Sequence, residues 1–177
     1  LCTEFLLKNY SKNFNVPFII TRFSNFFGPG QPIYRLIPKI IECINKKKKF
    51  PLEGGGSTKR NFIFSYDFSS GIYKTIINGK KNSIYHFAGN DYYKIADITK
   101  IICQLKSYSY SKLIKITAQR KGQDIIYKLN STKTKKELKW KPLYSLKKAL
   151  IQVINYGAGK FSKENLVYID SNFKKKN

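Results

Sequence analysis

An α/β fold is predicted for this chain. Segments with the period of strands alternate with segments with the period of helices, and clusters of glycine and proline separate them. The length of 177 residues and the apolar content of 42% are sufficient for a buried core. These observations exclude a chain that is disordered as a whole.

Each element follows from a local pattern. Apolar residues three and four apart indicate helices, and short runs of Ile and Phe indicate strands. In the first helix we expect Phe5 and Leu6 on the inner side, and in the third we expect Asp67 as the N-terminal cap. In order, the prediction is a helix at 3–12, a strand at 17–23, a loop at 24–34, a helix at 36–45, a strand near 50–52, a glycine turn at 54–56, a strand at 61–64, a helix from 67 to 77, a strand at 83–87, a helix at 95–105, a strand at 113–117, a capped short helix at 131–138, a final helix at 146–156 and a lysine-rich tail at 157–177.

Several classes of protein are excluded by composition. No run approaches the 18 to 20 apolar residues that span a bilayer, so no membrane partner is expected. The cysteines Cys2, Cys43 and Cys103 lie far apart, and His86 is the single histidine. Neither a disulfide framework nor a zinc site is therefore predicted, and the expected location is the cytoplasm.

The formal charge of +24 comes almost entirely from lysine. Arginine occurs only at Arg22, Arg35, Arg60 and Arg120, and Asn, Ile, Phe and Tyr are also abundant, as in proteins encoded by A/T-rich codons. Solvated lysines explain such a charge without a phosphate-binding role, so nucleic acid is not the expected partner. Since a guanidinium grips an oxyanion with two parallel hydrogen bonds, the few arginines are the first candidates for a ligand site.

No complete catalytic device is visible. The GxGxxG dinucleotide motif is absent, and Tyr-x-x-x-Lys spacings occur at 108/112, 144/148 and 156/160. About two such spacings are expected by chance from thirteen tyrosines and the lysine content. No catalytic residue is assigned within this chain.

Six motifs in a fixed order suggest a relationship to a known family. They are residues 21–30 (TRFSNFFGPG), 35–38 (RLIP), 51–67 (PLEGGG, RNF and Asp67), 85–90 (YHFAGN), 120–124 (RKGQD) and 138–142 (LKWKP). Together they resemble the C-terminal half of extended short-chain dehydrogenase/reductases that act on nucleotide-sugars, and most of all the nucleoside-diphosphate-glucose 4,6-dehydratases. The resemblance covers residues 1–156.

The resemblance implies a fold and an activity. Residues 1–156 would form the C-terminal part of a Rossmann-like fold with a mixed α/β nucleotide-sugar-binding region, and the dinucleotide-binding half with its Tyr-x-x-x-Lys pair would be missing. The complete enzyme would be an NAD-dependent homodimeric lyase that takes hydride from the sugar C4, eliminates water across C5–C6 and returns the hydride. A nucleotide-sugar epimerase or decarboxylase of the same family, a basic nucleic-acid-binding module and an inactive truncated product remain alternatives.

The resemblance also implies site residues. Asn25 follows a buried strand at the carboxyl end of the sheet, where ligands of α/β folds bind, and the helix that follows Arg35 presents free N–H groups. Arg60 and Arg120 match positions that clamp a diphosphate. Ser24 and Phe26 are expected to bind the cofactor, and the substrate-binding set is Asn25, Arg35, Leu36, Ile37, Pro38, Lys39, Pro51, Leu52, Glu53, Arg60, His86, Arg120 and Gln123.

Overall fold

The computed structural model describes residues 2–157 and confirms the α/β class. Strands and helices alternate along most of this range, as the sequence predicts. The elements are α1 (Cys2–Phe14), β1 (Ile19–Phe23), β2 (Asn25–Phe27), α2 (Leu36–Asn45), β3 (Phe50–Glu53), a 3-10 turn (Gly54–Gly56), β4 (Lys59–Phe64), α3 (Ser65–Asn78), β5 (Ser83–Phe87), β6 (Tyr92–Lys94), α4 (Ile95–Leu105), α5 (Tyr110–Leu113), β7 (Ile114–Thr117), α6 (Thr132–Glu137) and α7 (Leu146–Gly157).

The described strands form three small sheets. Strands β1 and β5 pair in parallel, with Phe23 opposite Phe87 at their carboxyl ends. Strand β4 lies between β2, which is parallel to it, and β6, which is antiparallel. Strands β3 and β7 pair in parallel, with Glu53 opposite Thr117. In each parallel pair the carboxyl ends of the two strands lie side by side.

The larger core lies where α2, α4 and α7 pack with β3. In α2 the residues Ile37, Ile40, Ile41 and Ile44 are buried, and their spacing places them on one face of the helix. They pack with buried side chains of the other elements, including Leu52, Ile98, Ile102 and Leu150. This core fixes the first turn of α2 relative to the end of β3.

A second core cluster surrounds Trp140. Its ring packs edge-on against Phe87 at a centroid distance of 5.0 Å, and its indole N–H donates to the carbonyl of Asp67. Ile63, Tyr85 and Leu138 complete the buried cluster. Trp140 is thus a packing residue.

Asp67 does not cap α3, which corrects the sequence prediction. The helix begins at Ser65, and the Asp67 side chain is buried in its first turn. Its two carboxylate oxygens accept hydrogen bonds from the backbone N–H groups of Leu143 and Tyr144, at 2.8 and 3.1 Å. Asp67 therefore ties α3 to a segment 76 residues away in sequence, which a local pattern cannot reveal.

Other differences also come from contacts distant in sequence. Helix α1 has no buried residue, and its Phe5 and Leu6 are exposed, so residues 2–157 do not bury the expected inner side. The predicted loop at 24–34 contains β2, which exists because it pairs with β4, and β6 was not predicted. Ser131 makes no side-chain cap at α6, and the predicted tail lies outside the described residues except for Gly157.

Within the described part of the chain, no helix has the length and apolar character needed to cross a membrane.

Candidate functional site

A cavity of about 580 Å³ opens where the ends of β1, β2 and β3 meet α2 and the loop after β7. Its lining comes from segments that are far apart in the sequence. These lining residues are Phe23, Ser24, Asn25, Phe26, Phe27, Gln31, Tyr34, Arg35, Leu36, Ile37, Lys39, Phe50, Pro51, Leu52, Glu53, Thr58, Arg60, Phe62, Ile95, Arg120, Gln123 and Tyr127.

The cavity carries an excess of positive charge. Arg35, Lys39, Arg60 and Arg120 line it, and Glu53 is its one carboxylate among the described residues. Three of the four arginines in the chain are thus brought to one site. Fixed cations around a cavity of this size favour an anionic ligand.

The N-terminus of α2 adds partial positive charge to the same wall. Arg35 is the N-cap residue, and no side chain caps this end of the helix. The N–H groups of Leu36 and Ile37 have no partner within the helix, because the first turn lacks preceding carbonyls. Both residues line the cavity, and the helix dipole also favours an anion there.

Asn25 is held in place by β4. Its side-chain Nδ2 donates to the main-chain carbonyl of Asn61 at 3.2 Å, which uses one of its two N–H donors. The buried Asn61 side chain in turn donates to the carbonyls of Gly89 and Asp91 and accepts from the Gly89 N–H. The second donor and the carbonyl oxygen of the Asn25 amide are available to a ligand.

Arg60 fixes the loop that follows β7. Its guanidinium donates to the carbonyl of Lys59 at 2.9 Å and to the carbonyl of Asp124 at 2.8 Å. The N–H of Lys59 also donates to the carbonyl of Ile125. The carbonyls of Lys59 and Asp124 use two of the five N–H groups of the Arg60 guanidinium, so donors remain for a ligand in the cavity.

Arg120 spans the cavity to Glu53. Its Nη2 donates to Glu53 Oε1 at 2.9 Å, in an ion pair whose arginine side chain is 71% exposed. The pair joins the end of β3 to the loop after β7. Both partners belong to the substrate-binding set predicted from the sequence.

Ser24 and Phe26 form another edge of the cavity. The Ser24 hydroxyl is buried and has no hydrogen-bond partner among the described residues. The Phe26 ring stacks on Phe68 at a centroid distance of 5.5 Å and contacts Phe23 edge-on. This edge therefore combines a polar group without a partner and a flat aromatic surface.

Two residues of the predicted set lie outside the cavity. His86 is on β5 opposite Arg22, and its ring nitrogens lie 3.4 Å from an Arg22 nitrogen and 3.2 Å from the carbonyl of Asn130. Pro38 belongs to the first turn of α2 but does not line the cavity. His86 lies one residue before the end of β5, and its ring contacts Arg22 and the carbonyl of Asn130 instead of the cavity. The structure thus does not bring His86 to the other predicted residues.

Arg22, unlike the other three arginines, is absent from the cavity. It donates two hydrogen bonds to the Glu4 carboxylate and so joins β1 to α1. Among the described residues, the members of the Tyr-x-x-x-Lys spacings do not line the cavity. Tyr108 and Tyr144 precede the helices that begin at Tyr110 and Leu146, and Lys160 lies outside the described residues.

Some lining residues were missed by the sequence analysis. Phe62 lies two residues after Arg60 in β4, so strand alternation could have placed both on one face. Tyr34 lies beside Arg35, and the guanidinium is 5.4 Å from the centroid of its ring. Tyr127 carried no signal, because only the pairing of its loop with β4 brings it to the cavity.

Comparisons with known proteins identify the same family as the motifs. The model of the NAD dependent epimerase/dehydratase family matches residues 1–88. A dTDP-glucose 4,6-dehydratase of Shigella flexneri is 27% identical over 160 residues, which cover 87% of this chain and 44% of that enzyme.

Solved structures share the fold. The dTDP-glucose 4,6-dehydratase of Bacillus anthracis in complex with NAD matches with a TM-score of 0.82 and 27% identity, over 88% of this chain and 49% of that one. UDP-glucose 4-epimerase of Thermotoga maritima with UDP-glucose has a TM-score of 0.82 at 20% identity, over 91% of this chain and 52% of that one, and shows the likeness of the fold alone. The chain thus spans about half the length of the relatives it matches.

Proposed function

We propose that this chain belongs to the NAD dependent epimerase/dehydratase family, whose model matches residues 1–88, and that it is the substrate-binding half of a nucleotide-sugar 4,6-dehydratase. The complete enzyme would convert a nucleoside-diphosphate-glucose into its 4-keto-6-deoxy product with loss of water. Dehydration is favoured over epimerisation because curated relatives at 27% identity are dTDP-glucose 4,6-dehydratases.

The observation that carries this proposal is the meeting of three arginines and an uncapped helix N-terminus in one cavity. A diphosphate has several oxygens in a fixed arrangement, and guanidinium groups match them with paired donors. Arg35, Arg60 and Arg120 approach the cavity from three separate segments of the chain. The proposed diphosphate lies among them and near the N–H groups of Leu36 and Ile37.

The remaining lining fits the other parts of such a ligand. Pro51 is exposed on β3 and provides an apolar surface for the base, and the buried Leu52 lies beside it in the cavity lining. Gln123 and Asn25 offer amide groups, each of which can donate and accept hydrogen bonds. A cavity of about 580 Å³ lies within the size range of small-molecule sites.

The edge formed by Ser24 and Phe26 fits the proposed cofactor, NAD. The buried Ser24 hydroxyl lacks a partner, so a polar group of a ligand would satisfy it. The exposed Phe26 ring offers a flat apolar surface that excludes water from the same edge. When bound, NAD supplies the hydride acceptor of the reaction.

The proposal is tested by calorimetric titration of the chain with thymidine diphosphate. Arg60→Lys and Arg120→Lys keep the charge but remove the paired donors, so each should weaken binding by roughly 1 to 3 kcal/mol. The matched control replaces the four lysines at 46–49, which follow α2, with glutamine. That control removes four charges and should change affinity by less than about 0.5 kcal/mol.

The two sets of variants separate a built site from a basic surface. If the lysine variants lose more affinity than the arginine variants, binding follows net charge and the proposed site is wrong. Steep salt dependence of DNA or RNA binding, without competition by the nucleotide, would instead favour a nucleic-acid-binding module.

A further inference from the structure

Glu53 is unusual in its surroundings, because it is the one carboxylate among the described residues of a cavity that we propose binds a diphosphate. A negative charge at this position repels an anionic ligand. The Glu53 carboxylate also binds a guanidinium that the proposed ligand would use, since Glu53 Oε1 accepts a hydrogen bond from Arg120 at 2.9 Å.

The geometry favours a specific pairing over a chance surface contact. Glu53 ends β3 and lies opposite Thr117 at the end of β7, and Arg120 follows three residues later. Gln119 precedes Arg120, and Gly54 follows Glu53. The Gln119 side chain packs so closely on Gly54 that a Cβ atom at Gly54 would lie 1.9 Å from Gln119 Oε1. The turn from β7 is thus packed against the residue that follows Glu53, and this places the Arg120 side chain across the strand ends.

The rest of this loop is anchored separately. The carbonyl of Asp124 accepts from Arg60, and the carbonyl of Ile125 accepts from the Lys59 N–H. Residues on both sides of Arg120 are therefore held, while its own side chain is exposed. A change of partner at Arg120 needs rotation of one side chain and no movement of the loop.

We infer that Glu53 is an internal competitor that holds Arg120 until a diphosphate displaces it. The Glu53 carboxylate presents to the guanidinium the kind of oxygen pair that a phosphate presents. An exposed ion pair is weak, so a diphosphate among four cationic side chains can replace it. Glu53 then lowers the affinity for anions that bind through Arg120, because an anion must first displace the Glu53 carboxylate. It therefore acts as a specificity-determining residue. The inference rests on the proposed function for the identity of the natural ligand.

The test measures the affinity of the full 177-residue chain for inorganic pyrophosphate and for thymidine diphosphate by calorimetry. Glu53→Gln should tighten the binding of both probes by about 3- to 10-fold, since it frees Arg120 and removes a repelling charge. Glu42→Gln is the matched control, because Glu42 forms an ion pair with Lys46 on α2 and does not line the cavity. The control should change affinity by less than about 2-fold.

A double-mutant comparison isolates competition for Arg120 from the general effect of charge. In an Arg120→Gln background, Glu53→Gln should tighten binding by less than about 2-fold, because no guanidinium is left to release. Equal tightening in both backgrounds would show simple repulsion and overturn the inference. Weaker binding of Glu53→Gln would show that Glu53 contacts the ligand directly and would overturn it as well.

The two probes separate this inference from the proposed function. Tighter pyrophosphate binding by Glu53→Gln, with no preference of the chain for thymidine diphosphate over pyrophosphate, supports the competitor and contradicts the nucleotide site. Arginine-dependent binding of thymidine diphosphate without tightening by Glu53→Gln contradicts only the competitor. Absence of binding by both the native chain and Glu53→Gln refutes both.

Discussion

Replacement of Asn61 by alanine should destabilise the fold and leave the cavity chemistry intact. The Asn61 side chain is buried, donates to the carbonyls of Gly89 and Asp91 at 3.0 and 2.7 Å, and accepts from the Gly89 N–H at 2.7 Å. These bonds join β4 to the segment after β5. Because Asp91 is exposed, its carbonyl can recover a hydrogen bond from water.

The cost therefore comes mainly from Gly89, which is half-buried and loses partners for its N–H and its carbonyl. At about 1 to 1.5 kcal/mol for each of these groups, and with the loss of side-chain packing, Asn61→Ala should lower the free energy of unfolding by about 2 to 4 kcal/mol. Asn61→Asp keeps the shape but cannot donate to the two carbonyls when ionised, so at neutral pH its loss should be at least as large.

The assay is equilibrium unfolding in urea, followed by circular dichroism, with Asn90→Ala as the control. Asn90 is exposed and lies beside Gly89, so its replacement should cost less than about 0.5 kcal/mol. Asn25 donates to the main-chain carbonyl of Asn61, which alanine retains, so the folded variant should bind thymidine diphosphate with nearly the native affinity. Equal stabilities of the variants at 61 and 90 would refute the reasoning.

Three further outcomes are expected. The 177-residue chain with added NAD and a nucleoside-diphosphate-glucose should show no dehydratase turnover, because no Tyr-x-x-x-Lys pair lines the cavity among the described residues; detection of the 4-keto-6-deoxy product would contradict this. Helix α1 exposes Phe5, Leu6, Tyr10 and Phe14, so the chain should self-associate in light scattering despite its charge of +24, whereas a clean monomer at all concentrations would argue against this. Burial raises the pKa of Asp67, against the lowering effect of the two backbone hydrogen bonds that the carboxylate accepts. The stabilisation linked to this raised pKa is therefore complete below the unfolded pKa of Asp67 and is lost as the pH rises through its folded pKa. In urea unfolding from pH 3.5 to 7.5, the stability difference between the native chain and Asp67→Asn should shrink as the pH rises, and a growing difference would show that the sign is wrong.

Much of the candidate site was predictable because its residues belong to short motifs. Asn25, Arg35, Arg60 and Arg120 lie in four separate segments, and their order along the chain resembles one family. The structure brings all four to one cavity.

The partners of these residues were not predictable in the same way. The sequence placed Glu53 and Arg120 together in the substrate-binding set, but it contained no sign that they pair with each other. Arg60 was expected to face the ligand, and the structure shows that it also donates to the carbonyl of Asp124. Each of these contacts depends on how β3, β4 and β7 are aligned, and residues about 65 positions apart leave no periodic signal.

The sequence by itself determined the α/β class, the buried face of α2 and the segments that supply the cavity, because spacing along the chain encodes helix faces, strand runs and loop motifs. The tertiary structure alone decided that His86 lies in the β1–β5 pair, that Asp67 accepts from Leu143 and Tyr144, and that α1 stays exposed. The physical reason is the range of the interactions. Periodicity reports which side of an element is apolar, whereas strand register and hydrogen bonds between distant segments depend on packing that forms only when the whole chain folds.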